Sequence, residues 1–414
     1  MRPVANSFRQ RLAPLLLVLA STLLTLLVLE AAVRVLRRGE GGGKEAAEIL
    51  HYTEYDPILG WSKMPGSRVA YRRREYTVEV AINGHGLRDP ERGYEAPPGT
   101  TRILALGDSF IEGYTVPLAQ TATQVLESSL GGGGCAAQVI NGGTAGYSND
   151  QELLFYQTEG HRYAPRIVVL FFYYNDVVYN DRQEFFGAPK PVFEMGEGRL
   201  CVHRLPVKEP SSPGPPEPAA EDEERSGSAL VDWVRERLWY GAPEAHDLLA
   251  RLGLWRPMPR LPTRLELRVY ERRSVEEIED AWAKTAAILA AADGEARSRG
   301  ARFLVVHVPS RLEIDDRTWR LSRHLYGWDE AGWDRRRVAQ RLQEVGARSG
   351  IPVLDLTEAL RRANEGDPKP YFTYDGHWSR VGHRVAAEEV QRFIAGHGWL
   401  EGCAQPAIAV NAGR

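Results

Sequence analysis

Short, nearly unbroken apolar runs at 102–106, 138–141, 167–173, 302–308 and 352–355 alternate with stretches whose apolar residues recur at three- and four-residue spacing. The runs predict strands, and the spacing predicts helices over 122–130, 151–160, 275–299, 334–349 and 381–394. Strands that are apolar on both faces and separated by helices predict a parallel sheet covered on both sides. In such sheets binding and reaction sites form beyond the carboxyl ends of the strands.

The N-terminus has a different pattern. "RLAPLLLVLASTLLTLLVLEAAVRVLRR", 11–38, carries one acid, Glu30, and 13–29 carries no charge at all. Extended to Val33 or Leu36 it reaches the ~20 residues a bilayer-spanning helix needs. A secretory signal has an apolar core of about 7–15 residues and a cleavage site of small residues. The stretch here is longer and runs into arginines, so 1–38 is expected to be a retained membrane anchor, with a cleaved signal or a buried core helix as alternatives. Arg2, Arg9 and Arg11 on one side face Arg34, Arg37 and Arg38 on the other, so flanking charge does not choose an orientation. "GEGGGK" opens a linker over 39–51.

Residues 52–100 are expected to form a β-rich lead-in: β-branched residues alternate from Thr77 to Ile82, and "NGHG" signals a turn in which His85 and Arg88 are expected to be solvated. The α/β pattern then divides into 101–176 and 275–400, interrupted by an insertion over 177–274 and followed by a tail at 401–414. Within the insertion, "KPVFEMGEGRLCVHRLPV" reads as a hairpin, and 209–228 has almost no apolar side chain and is expected to be disordered. An amphipathic helical pattern resumes over 229–255. The insertion is expected to cover the site in part, with packing as its default role.

Composition narrows the function classes. The chain has 414 residues, 43% hydrophobic and 26% charged, which excludes a fully disordered or fibrous protein. A net charge of -3 with no basic block interleaved with aromatics leaves nothing to hold a nucleic-acid backbone. Cys135, Cys201 and Cys403 are far apart and odd in number, so they suggest neither a metal site nor a disulfide framework, and one disulfide stays open. No phosphate loop of the GxxxxGK type occurs, and no cofactor, metal or nucleotide is expected.

Four short stretches carry chemistry, each just after a predicted strand or strand–helix unit. "GDSF" puts Ser109 beyond the first strand, where Asp108 can bond the local backbone. Taken alone, Asp-Ser there reads as a helix cap. "NGGTAGYSND" offers the bare backbone N–H of Gly146, and "YYND" offers the side-chain amide of Asn175. "TYDGHWSRVGH" carries Asp375 two residues before His377. A neutral serine needs a base, which His377 supplies, and the imidazolium that results needs an orienting carboxylate, which Asp375 supplies. Charge developing on an attacked carbonyl oxygen needs fixed donors, for which the Ser109 N–H, the Gly146 N–H and Asn175 are candidates. His383 and His307 are the competing histidines, and both are expected to be structural.

These four blocks, in this order, resemble those of the SGNH/GDSL hydrolases, with Ser109 in the first, Gly146 in the second, Asn175 in the third and Asp375 with His377 in the last. The likeness spans 102–394 apart from the insertion, and "NGHGLRD" resembles the lead-in of membrane-anchored bacterial members. It implies a flavodoxin-like three-layer α/β/α sandwich with a five-stranded parallel sheet, and ester hydrolysis without a metal. Two features depart from the usual pattern. A single residue, Gly376, separates Asp375 from His377, a spacing that resembles the polysaccharide O-acetylation branch of the superfamily, including the alginate acetylation proteins. Tyr173 stands where many members carry glycine.

The expectation is therefore a membrane-anchored serine esterase acting outside the cytoplasm on acyl or acetyl esters of a glycan or lipid, through an acyl-enzyme. An O-acetyltransferase using the same residues is the alternative enzyme. A non-catalytic glycan-binding scaffold is the alternative of another class, and the presence of all five site residues weighs against it.

Overall fold

The computed structural model describes residues 5–38, 52–185, 187–196, 199–203, 205–209, 227–255 and 257–400. The chain divides into two compact units, Met1–Glu45 with Pro216–Leu261, and Ala46–Pro215 with Pro262–Arg414.

In the smaller unit, helix α1 (Ala5–Arg38) contains the apolar stretch Leu16–Leu36, long enough to cross a membrane. The expected linker after it, and the tail at 401–414, lie outside the described residues, as does all but the edges of the stretch expected to be disordered.

The larger unit opens with two antiparallel pairs, β1 (Thr53–Asp56) with β2 (Gly60–Lys63) and β3 (Arg68–Arg72) with β4 (Thr77–Ala81). Then come β5 (Thr101–Leu106), the one-turn helix α2 (Ser109–Glu112), α3 (Ala122–Gly132), β6 (Ala137–Asn141), α4 (Asn149–Thr158), β7 (Ile167–Tyr173) and α5 (Asp176–Tyr179). The insertion holds two further antiparallel pairs, β8 (Glu184–Phe185) with β9 (Ala188–Pro189) and β10 (Val192–Gly196) with β11 (Arg199–His203). Its later part, α6 (Ala229–Gly241) and α7 (Pro243–Arg251), falls in the smaller unit with α1, so the insertion does not act as one body. The larger unit resumes with α8 (Glu276–Ser298), β12 (Arg302–Val308), α9 (Arg311–Ile314), α10 (Asp316–Tyr326), α11 (Arg337–Ser349), β13 (Val353–Asp355), α12 (Thr357–Ala363) and α13 (Arg380–Gly396).

The sheet order is β13-β12-β7-β5-β6, and every neighbouring pair is parallel. Numbered by their sequence within this sheet, the strands run 2-1-3-4-5, the flavodoxin-like order, whose reversal lies between β5 and β7. Alternate residues serve opposite faces. Ile103, Ala105, Val169, Phe171, Leu304 and Val306 pack with Leu126, Leu360, Val390 and Ile394 from α3, α12 and α13. Leu104, Val168, Leu170, Phe172, Phe303 and Val305 pack with Leu153, Trp282, Leu289 and Leu342 from α4, α8 and α11. Three layers result, with β5 between the edge strand β6 and the central strand β7 and its tip at the reversal point.

The five sheet strands and the five predicted helices lie within a few residues of their expected bounds, whereas α12, which packs Leu360 on the sheet, was not predicted. The 11-residue α10 was not predicted, and Leu325 is its only buried residue. Polar residues outnumber apolar ones in it, and Trp319 and Tyr326, seven residues apart, are only partly buried against the core; its start is marked by Asp315, whose carboxylate accepts the Arg317 N–H.

At the other edge of the sheet His307 is fully buried between two carboxylates. Its Nδ1 lies 2.9 Å from Asp355 Oδ1, and its Nε2 lies 3.2 Å from Glu313 Oε1, within ion-pair range but off hydrogen-bond geometry. Burial opposes the charged imidazole, but the Glu313 and Asp355 charges outweigh it and raise its pKa to about 10. The group thus joins β12, β13 and α9. Because the folded pKa lies above the ordinary 6.5, this contribution to stability is complete below pH 6.5 and fades as pH rises toward 10. His307→Gln is accordingly expected to destabilise the full chain in mild detergent by about 3 kcal/mol at pH 6 and by much less at pH 10. Urea unfolding followed by tryptophan fluorescence at the two pH values measures the difference.

Candidate active site

Strand β5 stops at Leu106, and Asp108 turns the chain: its Oδ1 accepts the Phe110 N–H at 2.9 Å and so caps α2. Burial pushes the Asp108 carboxyl up to about 6, with the Phe110 N–H and the nearby His377 pulling the other way. The cap reading of Asp-Ser is thus realised by Asp108, which leaves the Ser109 hydroxyl free to point elsewhere. Its Oγ lies 2.8 Å from His377 Nε2. His377 Nδ1 in turn lies 2.6 Å from Asp375 Oδ1, which also accepts the His377 backbone N–H at 3.2 Å. With Nδ1–H donating to the carboxylate, Nε2 is left as the acceptor for the serine proton.

The one-residue spacing works because Gly376 has φ of +83°, a conformation glycine adopts without strain, and this folds Asp375 back onto the following histidine. The imidazole is 24% exposed and the Asp375 carboxylate 17%, so a substrate can reach the histidine while the pair stays largely screened from water. Phe110 packs on one side of the imidazole with ring centroids 4.9 Å apart, and Tyr114 on another at 5.2 Å. Burial tends to raise the Asp375 pKa, but its bonds from His377 and Tyr76 outweigh burial and hold the carboxyl below its ordinary range.

Gly146 follows β6 and Asn175 follows β7, so both lie at the same carboxyl edge as Ser109. Among the described residues neither the Ser109 N–H nor the Gly146 N–H finds an acceptor, and the Asn175 side chain does not cap α5. A side chain at position 146 would strike the Phe185 ring at 2.7 Å and come within 3.3 Å of Trp61. Asp176 is buried and orders this loop by accepting the Tyr173 N–H at 2.8 Å and an Asn149 amide N–H at 3.1 Å. His383 is buried, its Nδ1 accepts the Ala122 N–H at 3.2 Å, and burial, with the nearby Arg88 charge, lowers its pKa to about 3. It is a neutral link between α13 and α3.

The lead-in does more than the sequence suggested. Tyr76 Oη donates to Asp375 Oδ2 at 2.6 Å, on the side away from His377. The Glu75 carboxylate accepts the backbone N–H groups of Thr373, Tyr374 and Asp375 at 2.7, 2.7 and 3.2 Å. Arg88, expected in a solvated turn, is 1% exposed; its guanidinium donates to the carbonyls of Glu112, Gly113 and Val116. Lys63, also buried, donates to the Gly143 carbonyl at 2.6 Å and to Thr144 Oγ1. Burial lowers its pKa to about 8 despite the Glu112 charge. Glu112 joins the first two blocks, since it accepts the Tyr52 hydroxyl and, at 2.7 Å, the Ala145 N–H. The sequence hint was the run of charged and tyrosine residues in "YRRREYTVEV", inside an otherwise β-like stretch.

The chain matches the family model for the SGNH hydrolase-like domain, acetyltransferase AlgX, over residues 269–413, a span that holds Asp375 and His377 but not Ser109. No curated protein matches it. Solved structures with similar folds include a lipase/acylhydrolase from Enterococcus faecalis, 15% identical over 72% of this chain and 96% of that one, with a TM-score of 0.36. An acetyl xylan esterase is 11% identical over 71% and 99%, with a TM-score of 0.36. An acetylxylan esterase from Geobacillus stearothermophilus is 9% identical over 70% and 93%, with a TM-score of 0.35. At these scores the structural likenesses carry no weight for the site. The family match covers the loop that delivers Asp375 and His377, so residues 269–413 are similar to an SGNH hydrolase-like domain, and the flavodoxin-like sheet brings Ser109 to that loop.

Proposed function

We propose that the chain is a serine-dependent acyl-transfer enzyme, an esterase acting on acyl or acetyl esters of an extracytoplasmic glycan or lipid. The observation that carries this reading is the continuous hydrogen-bonded chain Ser109–His377–Asp375, 2.8 and 2.6 Å per link. Ser109 Oγ attacks the ester carbonyl carbon and gives its proton to His377 Nε2. Asp375, held ionised by its hydrogen bonds, stabilises the imidazolium through Nδ1–H. The carbonyl oxygen gathers negative charge facing the Ser109 and Gly146 N–H groups and the Asn175 amide. Collapse of the adduct breaks the C–O bond to the leaving alcohol, which takes the proton from Nε2, and leaves an acyl ester on Ser109. A second hydroxyl then attacks the acyl carbon and gives its proton to His377 Nε2; the bond from that carbon to Ser109 Oγ breaks, Oγ takes the proton back from Nε2, and the acyl group leaves on the second hydroxyl.

If that second hydroxyl is water the reaction is hydrolysis; if it belongs to a sugar, the reaction is O-acetyl transfer. The second outcome is favoured by the name of the matched family model and is kept as a second reading. The apolar helix supports retention at a membrane, and the disulfide-bonded Cys135 fits an oxidising compartment outside the cytoplasm.

Hydrolysis of p-nitrophenyl acetate by the full chain in detergent is expected to fall at least about 1000-fold in Ser109→Ala and His377→Ala, and about 100- to 1000-fold in Asn175→Ala. Folded wild-type protein without turnover on this or any acetylated glycan would overturn the reading. An added oligosaccharide that becomes acetylated at the expense of free acetate, read by mass spectrometry, would select transfer over hydrolysis.

Tyr76 and Glu75 act through Asp375 as positioning residues. Tyr76→Phe removes one hydrogen bond to the carboxylate and is expected to lower kcat about tenfold with KM unchanged. Glu75→Gln keeps the shape but replaces a charged acceptor of three N–H groups, and is expected to lower kcat by a similar factor. Steady-state kinetics with Vmax divided by the concentration of folded enzyme, read from tryptophan fluorescence, check both, since a merely structural role would reduce the folded fraction and leave the KM and kcat of the folded enzyme intact.

A further inference from the structure

The helices α6 and α7 lie between two segments of the larger unit in sequence, yet α6 packs against α1, and α7 packs against α6. The junction is specific. Glu30 Oε1 accepts the Ala229 N–H at 2.8 Å, and Oε2 accepts the Leu230 N–H and the Ser228 hydroxyl, each at 2.8 Å. Glu30 thereby caps α6 from another helix, satisfying N–H groups that a helix start leaves open. Arg34 Nε donates to the same carboxylate at 2.7 Å, and Arg34 also reaches the Gly227 carbonyl. Val33 is buried, at 7% exposure, whereas Leu19 and Leu24 further up α1 are 63% exposed.

Depth follows from this contact. Glu30 lies six residues before Leu36, the end of the apolar stretch, or roughly 9 Å along a helix axis. Residues 227–230 therefore lie beside the last two turns of the stretch. Any bilayer that holds α1 must have α6 and α7 at its boundary.

The surface of these two helices suits that place. Leu248, Leu252 and Leu254 are 56, 67 and 63% exposed, and Leu248 and Leu252 share a helical face at four-residue spacing. Trp233 and Tyr240 are exposed beside them in sequence, and the Arg237 guanidinium lies over the Trp233 ring. Exposed leucines with Trp, Tyr and Arg form the composition of helices that lie in the headgroup region, aromatic rings and cations at the polar level and leucines below it. Inside the unit, Trp239 and His246 pack edge to face at 4.9 Å, so the pair of helices has a core of its own and the leucines are surplus to it.

We infer that α6 and α7 form an interfacial platform whose partner is the bilayer that holds α1, with Leu248, Leu252 and Leu254 inserted among the lipids. This rests on the reading of α1 as a retained anchor. It gives the later half of the insertion a role separate from the reaction: a second, lateral attachment that is tied to the anchor through Glu30.

The test uses the full chain in vesicles of phosphatidylcholine and phosphatidylglycerol. Cys201→Ser removes the exposed free thiol, and single cysteines replacing Leu248, Leu252 or Leu23 carry a nitroxide. Collision with oxygen, which concentrates in lipid, is compared with collision with a water-soluble nickel chelate. At Leu248 and Leu252 the oxygen-to-nickel ratio is expected to exceed that of the free label in buffer by about tenfold, as for a helix sunk among acyl chains. Free access of nickel to either site overturns the inference. Poor access of both reagents also overturns it, and points to a protein partner or a second copy. Leu23 separates the two readings: lipid-like values there with water-like values at Leu252 defeat the platform alone, whereas water-like values at Leu23 defeat the anchor and the platform together.

Discussion

The hydrogen bond from Ser109 to His377 joins positions 268 residues apart, and the fold is what makes it possible. The serine sits at the tip of β5, beside the central strand β7, at the one point where the sheet order reverses and opens a crevice. The histidine arrives on a loop between the last strand and the last helix. Neither end is stiff by itself. The serine turn is one helical turn held by Asp108, and the histidine loop has only a two-residue β-bridge between Tyr371 and Trp378 at its mouth.

Stiffness is supplied from the lead-in, whose two antiparallel pairs and the turn after them reach the serine turn, the Gly146 loop and the Asp375 loop. Tyr76 and Glu75 hold the Asp375 loop, Arg88 gathers the carbonyls that end the serine turn, and Lys63 and Trp61 hold the loop that carries Gly146. Charged groups buried this way contribute little net stability, because desolvation offsets their attraction, but leaving any partner unmatched is costly. They therefore specify one arrangement of three loops more than they stabilise it. The tyrosines of the small lead-in core, Tyr52, Tyr71 and Tyr76, with Tyr114 from the serine side, place that hairpin against the site.

Much of this was legible in the sequence, and for a plain reason. A parallel sheet buried on both faces writes itself as apolar runs, and helices that cover it write themselves as three- and four-residue spacing. The sheet strands and five of the helices that cover them were legible because burial demanded those residues. Ser109, His377 and Asp375 stood out as a hydroxyl, a base and a carboxylate, and the fold brings them within hydrogen-bond reach of one another. What could not be read were roles set by contacts across the chain. Arg88 looks like any arginine in a polar turn until the carbonyls of Glu112, Gly113 and Val116 are seen around it. Glu75 and Tyr76 look like a solvated corner until the Asp375 loop, some 300 residues later, folds onto them. Glu30 reads as a lone acid at the end of an apolar stretch, and its partner helix begins 199 residues away. The helix α10 stayed hidden because polar residues dominate its sequence and only Leu325 in it is fully buried.

The central claim is that His377 and Asp375 make Ser109 a nucleophile. Its most direct test is intact-mass and peptide mass spectrometry of the full chain after treatment with a fluorophosphonate, which reacts with activated serines. The account predicts one adduct, on Ser109, formed in wild type and lost in His377→Ala while the variant stays folded. An unmodified Ser109 in folded wild-type protein, or an adduct that forms equally well without His377, would contradict it.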